Sequence, residues 1–172
     1  IEISDTILST YDLYGRIPAE IGRFYNLKEL RLRNCLLQGP IPQEIENCEL
    51  LEVLDLGSDA DSIIKNNISG FPENITEFHM QKLEYLDLSN NSISNGLEFV
   101  WNCQVLKYLN ISGNNISESF DVESILTNAD PRYDALQELQ YLDISNNEIP
   151  YLRIGNFTLG TTEYLDQFQD LF

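Results

Sequence analysis

The segment Leu83–Ile93, LEYLDLSNNSI, decides the fold of this chain. Leucines alternate with polar residues over its first half, which is typical of a short strand with one buried face. The asparagine and the isoleucine that follow are expected to turn the chain inward again. Such a segment buries one edge only, so it needs neighbours of the same kind.

The same phrase, L-x-x-L-x-L-x-x-N-x-I/L, recurs along the 172 residues. Other copies begin at Leu27, Leu51, Leu106 and Leu139, and a weaker one begins at Ile3. Stacked copies place their strands side by side at roughly 4.8 Å, so their leucine columns form one continuous core. The sequence therefore predicts a single array of about six repeats over 1–172.

Two insertions interrupt the array, near 57–67 and near 117–136. In the first, the ladder asparagine is displaced, and we expect the coil to bulge outward. The second contains apolar residues that favour a short helix on the convex side. Insertions in repeat proteins often map to a binding face, and the alternative is a tolerated surface loop.

Two segments carry a further phrase: LYGRIPAEIG (Leu13–Gly22) and LQGPIPQEIENC (Leu37–Cys48). With the ladder, they make the chain resemble a leucine-rich-repeat protein, and its N-terminal half resembles the plant-type, 24-residue repeat subclass. The resemblance implies an α/β-type repeat solenoid, a curved stack with a parallel sheet on the concave face and 3₁₀ turns and loops on the convex side. The cysteine-flanked N-terminal cap of secreted members is absent from the sequence, so we expect either an excised fragment or a protomer whose ends are covered by neighbours.

The asparagines of the ladder, Asn91, Asn114 and Asn147, are expected to turn into the core. There the amide can satisfy backbone groups of its own coil and the next, which makes a structural role the expectation. Cys35 holds the same place once.

Cys48 and Cys103 occupy matching places two coils apart, roughly 10 Å, which is too far for a disulfide. We expect all three cysteines, these two and Cys35, to be buried thiols that form no disulfide.

Equivalent strand positions become spatial neighbours in a stacked sheet. One column contains three tyrosines beside a column rich in aspartates, an aromatic and anionic strip that suits a basic peptide or, through ring stacking, a sugar. A basic cluster is expected at the opposite end, and the alternative is that the tyrosines only cover one another. The candidate binding residues of this concave strip are Tyr85, Tyr108, Tyr141, Asp55, Asp87, Asp143, Lys28, Arg31 and Arg33.

Six Asn-x-Ser/Thr sequons indicate N-glycosylation, and with it the secretory pathway and an extracellular or cell-surface location. A glycan on Asn110, which is expected to point out of a concave strand, would block that face for a protein ligand. The six are Asn67, Asn74, Asn90, Asn110, Asn115 and Asn156.

Acidic residues outnumber basic ones by 28 to 10, and a formal charge of −18 disfavours nucleic acid and anionic membrane surfaces as partners. No apolar stretch approaches the roughly 18 residues of a spanning helix, so no membrane insertion is expected. The lone His79 lacks a nucleophile motif, and metal-ligand or phosphate-loop spacings are not found in the sequence. We therefore expect no catalytic residues, no metal and no cofactor.

Three functions remain open. The first is a non-enzymatic extracellular recognition module that binds a protein, peptide or glycan through the concave face or the insertions. The alternative is a self-assembling glycosylated structural protein, a filament or wall layer whose copies join end to end through uncapped solenoid ends. A third is an intracellular scaffold with unmodified sequons.

Overall fold

The computed structural model describes residues 15–72, 80–97, 99–100, 103–117, 120–121, 138–149, 152–154 and 157–159. In chain order, its 3₁₀ helices (η) and strands (β) are η1 (Ala19–Arg23), β1 (Glu29–Arg31), β2 (Gln38–Gly39), η2 (Gln43–Asn47), β3 (Val53–Asp55), β4 (Asn67–Ile68), β5 (Tyr85–Asp87), β6 (Tyr108–Asn110), β7 (Phe120–Asp121), β8 (Tyr141–Asp143), β9 (Leu152–Ile154) and β10 (Phe157–Leu159). Several predictions lie outside the described residues: the weak repeat from Ile3, most of the insertion near 117–136, Asn74, Asn156 and His79.

The main sheet is parallel and has five strands in the order β1-β3-β5-β6-β8. Its register pairs the middle leucine of each repeat with the next, from Leu30 and Leu54 through Leu86 to Leu109 and Leu142. The strands have three residues each because the ladder alternates only that far before its turn. This register confirms the parallel sheet expected from the repeats.

Two smaller sheets follow the turns after strands of the main sheet. β2 pairs with β4 in parallel, while β9 pairs in parallel with β7 and antiparallel with β10. The antiparallel pair of β9 and β10 departs from the repeat pattern.

The two segments that contain Ile-Pro, Leu13–Gly22 and Leu37–Cys48, each lead into a 3₁₀ helix on the side of the coil away from the main sheet. Pro18 and Pro42 precede η1 and η2, and proline's fixed φ suits the start of a helical turn. Gly22 permits the two helices to approach, since a Cβ there would lie 2.5 Å from the carbonyl oxygen of Glu44. These turns confirm the implied architecture of sheet on one side and 3₁₀ turns on the other.

The core fills the space between the main sheet and these turns. Leu30, Leu54 and Leu86 are completely buried, and Phe71 packs against Phe99 with ring centroids 4.4 Å apart. Each coil thus contributes one layer to a continuous apolar column.

The ladder asparagines are structural, as expected, but they join their own coil to the preceding one rather than the next. The amide nitrogen of Asn91 donates to Leu88 in its own coil and to Leu56 in the preceding coil, both at 3.0 Å. Its Oδ1 accepts from the backbone nitrogen of Ile68, also in the preceding coil. Asn114 and Asn147 repeat this pattern.

After the first insertion, the side-chain amide of Asn66 makes the contacts of a ladder asparagine. Asn66, which follows the bulge, accepts from the backbone nitrogens of Cys35 and Leu37 at 2.9 and 3.0 Å. It donates to the carbonyl oxygens of Leu32 and Leu56. Ile63, within the insertion, is 98% exposed.

The cysteines form no disulfide, and two of them are fully buried. Burial raises the pKa of the Cys48 thiol, and it raises that of Cys103 to about 12. The prediction of burial is wrong for Cys35, which is partly accessible. Its Sγ donates to the carbonyl oxygen of Arg33.

Candidate ligand-binding face

Three tyrosines form a continuous stack along the main sheet. The rings of Tyr85 and Tyr108 lie 4.2 Å apart and tilted by 9°, and those of Tyr108 and Tyr141 lie 4.3 Å apart and tilted by 3°. The parallel register places them side by side, at the first position of β5, β6 and β8. We call these three residues the tyrosine ladder.

Stacking decides which part of each ring a ligand can reach. Both faces of Tyr108 are covered by its neighbours, and the guanidinium of Arg31 lies 5.6 Å from the Tyr85 centroid. Tyr108 therefore offers a ligand its ring edge and phenol hydroxyl rather than a π face. A sugar cannot stack on this ring.

The phenol hydroxyls of Tyr85 and Tyr141 stay protonated. Burial, together with the negative charge of Asp87, raises the pKa of Tyr85 above its ordinary value. Burial and Asp143 do the same for Tyr141, whose hydroxyl lies 3.5 Å from an oxygen of Asp143.

The side chains of the aspartate column, beside the tyrosine ladder, accept hydrogen bonds from the backbone. Asp55, Asp87, Asn110 and Asp143 each accept a hydrogen bond from the backbone nitrogen two residues ahead, at 3.2, 2.9, 3.1 and 3.0 Å. These bonds close the turn after each strand. Because Asp55 and Asp87 are 7% and 2% exposed, they do not form the accessible anionic strip that the sequence suggested.

Arg33 reaches across three coils to these carboxylates. Its guanidinium forms ion pairs with Asp87, with Asp55 at 3.1 Å and with Asp59 at 3.3 Å. Burial alone would lower the pKa of Arg33, but the charges of Asp87 and Asp55 outweigh it and raise that pKa. Burial raises the pKa of Asp55 despite the opposing effect of Arg33. We call Arg33, Asp55 and Asp87 the arginine clamp.

Each member of the predicted basic cluster pairs with an acid. Lys28 contacts Glu52 at 2.9 Å and Arg31 contacts Glu29 at 3.1 Å. Neighbouring strand positions carry opposite charges, so the cations are neutralised locally.

Two contributors to this face are not among the predicted residues. Asp59, in the first insertion, exchanges hydrogen bonds with Asn34 at 2.8 and 3.0 Å and thereby ties the insertion to the preceding coil. Lys107 pairs with Glu84 at 2.9 Å. These two residues directly precede Tyr108 and Tyr85, and their opposite charges at equivalent repeat positions were the available signal.

An open depression of about 540 Å³ lies apart from the tyrosine ladder, at the turns that precede β3 and β5. Its lining residues are Glu46, Asn47, Glu49, Leu50, Gln81 and Lys82. Within the described ranges, no group of three or more His, Cys, Asp or Glu side chains is positioned to hold a metal ion. In that same part of the chain, no helix has the length and apolar character needed to cross a membrane.

Family models match two parts of the chain. "Leucine Rich repeats (2 copies)" matches residues 81–128, and "Leucine Rich Repeat" matches residues 26–48. Among curated proteins, none matches the chain.

Solved structures extend the comparison. The ectodomain of the receptor kinase SOBIR1 from Arabidopsis thaliana is 32% identical, with a TM-score of 0.62, and the match covers 82% of this chain and 70% of that one. The plant peptide hormone receptor RGFR1 in complex with RGF2 is 25% identical, with a TM-score of 0.58, over 78% of this chain and 19% of that one. A TDR receptor, 24% identical with a TM-score of 0.63, shares the fold over 82% of this chain and 22% of its own.

Proposed function

Since the chain belongs to the leucine-rich-repeat family and has plant-type repeats, we propose that it is a non-enzymatic extracellular module that binds a peptide or protein segment on its concave face. The observation that carries this proposal is the tyrosine ladder, three aligned aromatic side chains on one face of the main sheet. Aromatic side chains of this kind are enriched where proteins bind other proteins.

The relatives support the class of function. The SOBIR1 structure is the ectodomain of a receptor kinase, and the RGFR1 structure is a peptide hormone receptor in complex with RGF2. The chain spans 70% of the first of these structures and 19% of the second. We therefore also propose that this module is one part of a larger receptor.

The accessible groups of the tyrosine ladder suggest the ligand's chemistry. The hydroxyl of Tyr141 faces Asp143, whereas those of Tyr85 and Tyr108 can donate to acceptors such as the carbonyl groups of an extended peptide. The three strands that carry the tyrosine ladder span roughly 10 Å, about three residues of extended chain. With a net charge of −18, the protein favours a neutral or basic peptide over an acidic one.

Selection from a displayed library of extended peptides tests the proposal. We expect enriched peptides that bind the wild-type protein but not Tyr108→Ala. The control is Tyr25→Ala, at a tyrosine that is 66% exposed in the turn before β1 and outside the tyrosine ladder. Peptides that bind Tyr108→Ala as well as wild type, or a selection that enriches nothing, would contradict the proposal.

The other functions stay predictions. Self-assembly into a filament or wall layer depends on the ends of the array, and residues 1–14 and 160–172 lie outside the described part. Binding of a glycan, binding through the insertions and an intracellular scaffold are likewise untested. Light scattering over a range of protein concentrations separates a polymer from a monomer.

A further inference from the structure

The four sequons among the described residues fall into two structural classes. We propose that Asn67 and Asn115 carry N-linked glycans, whereas Asn90 and Asn110 stay unmodified in the folded protein. Glycans then occupy one flank of the solenoid and leave the tyrosine ladder open.

Asn67 and Asn115 hold the same place in their coils, directly after the ladder asparagine. Both side chains are exposed, and so are the sequon hydroxyl residues Ser69 and Ser117. The backbone nitrogens of Asn67 and Asn115 join the preceding coil, at 2.7 and 2.8 Å, so the backbone is held while the side chain faces solvent.

The side-chain contact of Asn67 also leaves its nitrogen accessible. Ser92, at the equivalent place in the intervening coil, donates its hydroxyl to Oδ1 of Asn67. Glycosylation takes place at Nδ2, so this bond survives the modification.

Asn110 belongs to the aspartate column, and both its Oδ1 and its Nδ2 have contacts within the protein. Its Oδ1 accepts from the nitrogen and the hydroxyl of Ser112, at 3.1 and 2.7 Å, and Ser112 itself is buried. Its Nδ2 lies 3.5 Å from the hydroxyl of Tyr108. A glycan on this nitrogen would displace Tyr108 from the tyrosine ladder.

Asn90 is held in a tight turn. Its φ is 52°, and its Nδ2 donates to the carbonyl oxygen of Ser58 at 2.7 Å. A Cβ on Gly113 of the next coil would lie 2.5 Å from Oδ1 of Asn90, so the amide packs directly on that backbone. A glycan here would force two coils apart.

The two favoured sites lie on one flank. Asn67, Ser92 and Asn115 follow one another across successive coils, so the two asparagines are roughly 10 Å apart. This flank follows the turn at the end of the concave strands. A partner therefore approaches the concave face without crossing the glycans.

The modification needs a lipid-pyrophosphate-linked oligosaccharide and the oligosaccharyltransferase of the secretory pathway. The bond between sugar C1 and the pyrophosphate oxygen breaks, C1 bonds to Nδ2, Nδ2 releases one proton, and the lipid pyrophosphate leaves. Because the transfer precedes complete folding, a chain modified at Asn110 or Asn90 would be unable to reach this structure.

Glycopeptide mapping of the full chain, secreted from a eukaryotic host, tests the proposal directly. We expect glycans on the peptides containing Asn67 and Asn115, and unmodified Asn90 and Asn110. Asn67→Gln and Asn115→Gln should each lose the mass of one glycan. The matched control, Asn110→Asp, should lose none, since aspartate occupies the same column at Asp87 and Asp143.

Three results would overturn the proposal: a glycan on Asn110 or Asn90 of the folded protein, an unmodified Asn67 or Asn115, or a secreted chain with no glycan. If a variant is poorly secreted, the map of the wild-type protein alone decides. Site-by-site mapping also keeps Asn74 and Asn156 from affecting the result.

Discussion

At the scale of single residues, Arg33 forms more ion pairs than any other basic residue in the described part of the chain. It neutralises two carboxylates that are almost inaccessible, and one of these, Asp87, lies two strands away across β3. The arginine clamp is therefore a cross-coil tie and not a ligand site. It also explains why Gly57 has no side chain: a Cβ there would lie 2.4 Å from Asp87 and 2.8 Å from Arg33.

Removal of the Arg33 charge should destabilise the fold strongly. We expect Arg33→Leu to lower the free energy of unfolding by about 3 kcal/mol, because two buried carboxylates lose their partner. Lys28→Gln, at an exposed pair with Glu52, should cost less than about 1 kcal/mol. Urea unfolding followed by circular dichroism measures both, and equal losses would contradict the distinction.

The same variant should show a characteristic pH dependence. Burial raises the pKa of Asp55 in the folded state. At pH values between the unfolded and the folded pKa, the folded state therefore holds a proton that the unfolded state has released. The contribution of Asp55 to stability therefore increases as pH falls through its folded pKa and is lost above it. Without Arg33 this pKa rises further, so the gap in unfolding free energy between Arg33→Leu and wild type should narrow from pH 7 towards about pH 5. A gap that widens on acidification would contradict this assignment.

At the scale of the repeat, one amide per coil links successive turns. Asn91, Asn114 and Asn147 do this from the expected ladder place, and Asn66 does it from the far end of an insertion. The insertion is tolerated because it leaves the position of that amide in space unchanged. A coil can thus lengthen outward without loss of its link to the core.

Asn66→Ala should cost about 3 kcal/mol in the free energy of unfolding, since several buried backbone groups lose their partner. Asn67→Ala, at the exposed neighbouring residue, should cost less than about 1 kcal/mol. Urea unfolding gives the total, and faster hydrogen exchange at the amides of Cys35 and Leu37 would locate the change. Unchanged exchange at these amides would contradict the assigned role of Asn66.

At the scale of the whole molecule, the repeats bring together side chains that are distant in the chain. Tyr85 and Tyr141 belong to different repeats, yet both contact Tyr108 because the strands are in register. The stack covers both ring faces of Tyr108 and leaves its hydroxyl as the polar group that a ligand can reach. Recognition by the tyrosine ladder should therefore depend on its hydroxyls.

Tyr108→Phe separates stacking from hydrogen bonding. For a peptide selected on the wild-type protein, we expect Kd to rise about tenfold, the equivalent of one lost hydrogen bond, with the thermal stability nearly unchanged. Tyr25→Phe, outside the tyrosine ladder, should leave Kd unchanged. Titration calorimetry measures the affinities, and an unaltered Kd for Tyr108→Phe would rule out recognition through its hydroxyl.

The resemblance to plant-type repeats implied the 3₁₀ turns. The repeat phrase itself was sufficient to predict the parallel sheet, the tyrosine column and the burial of Cys48 and Cys103. These features depend on local alternation and on a period, both of which are written in the order of residues. They hold because every coil makes the same contacts with its neighbour.

Only the tertiary structure decided which charged and polar groups are used internally. That Arg33 pairs with Asp87, that Asn66 links its coil to Cys35, and that Arg31 lies over Tyr85 depend on distances across coils. The cost of an unpaired buried charge or amide selects these partners in three dimensions, and that cost has no periodic signature in the sequence.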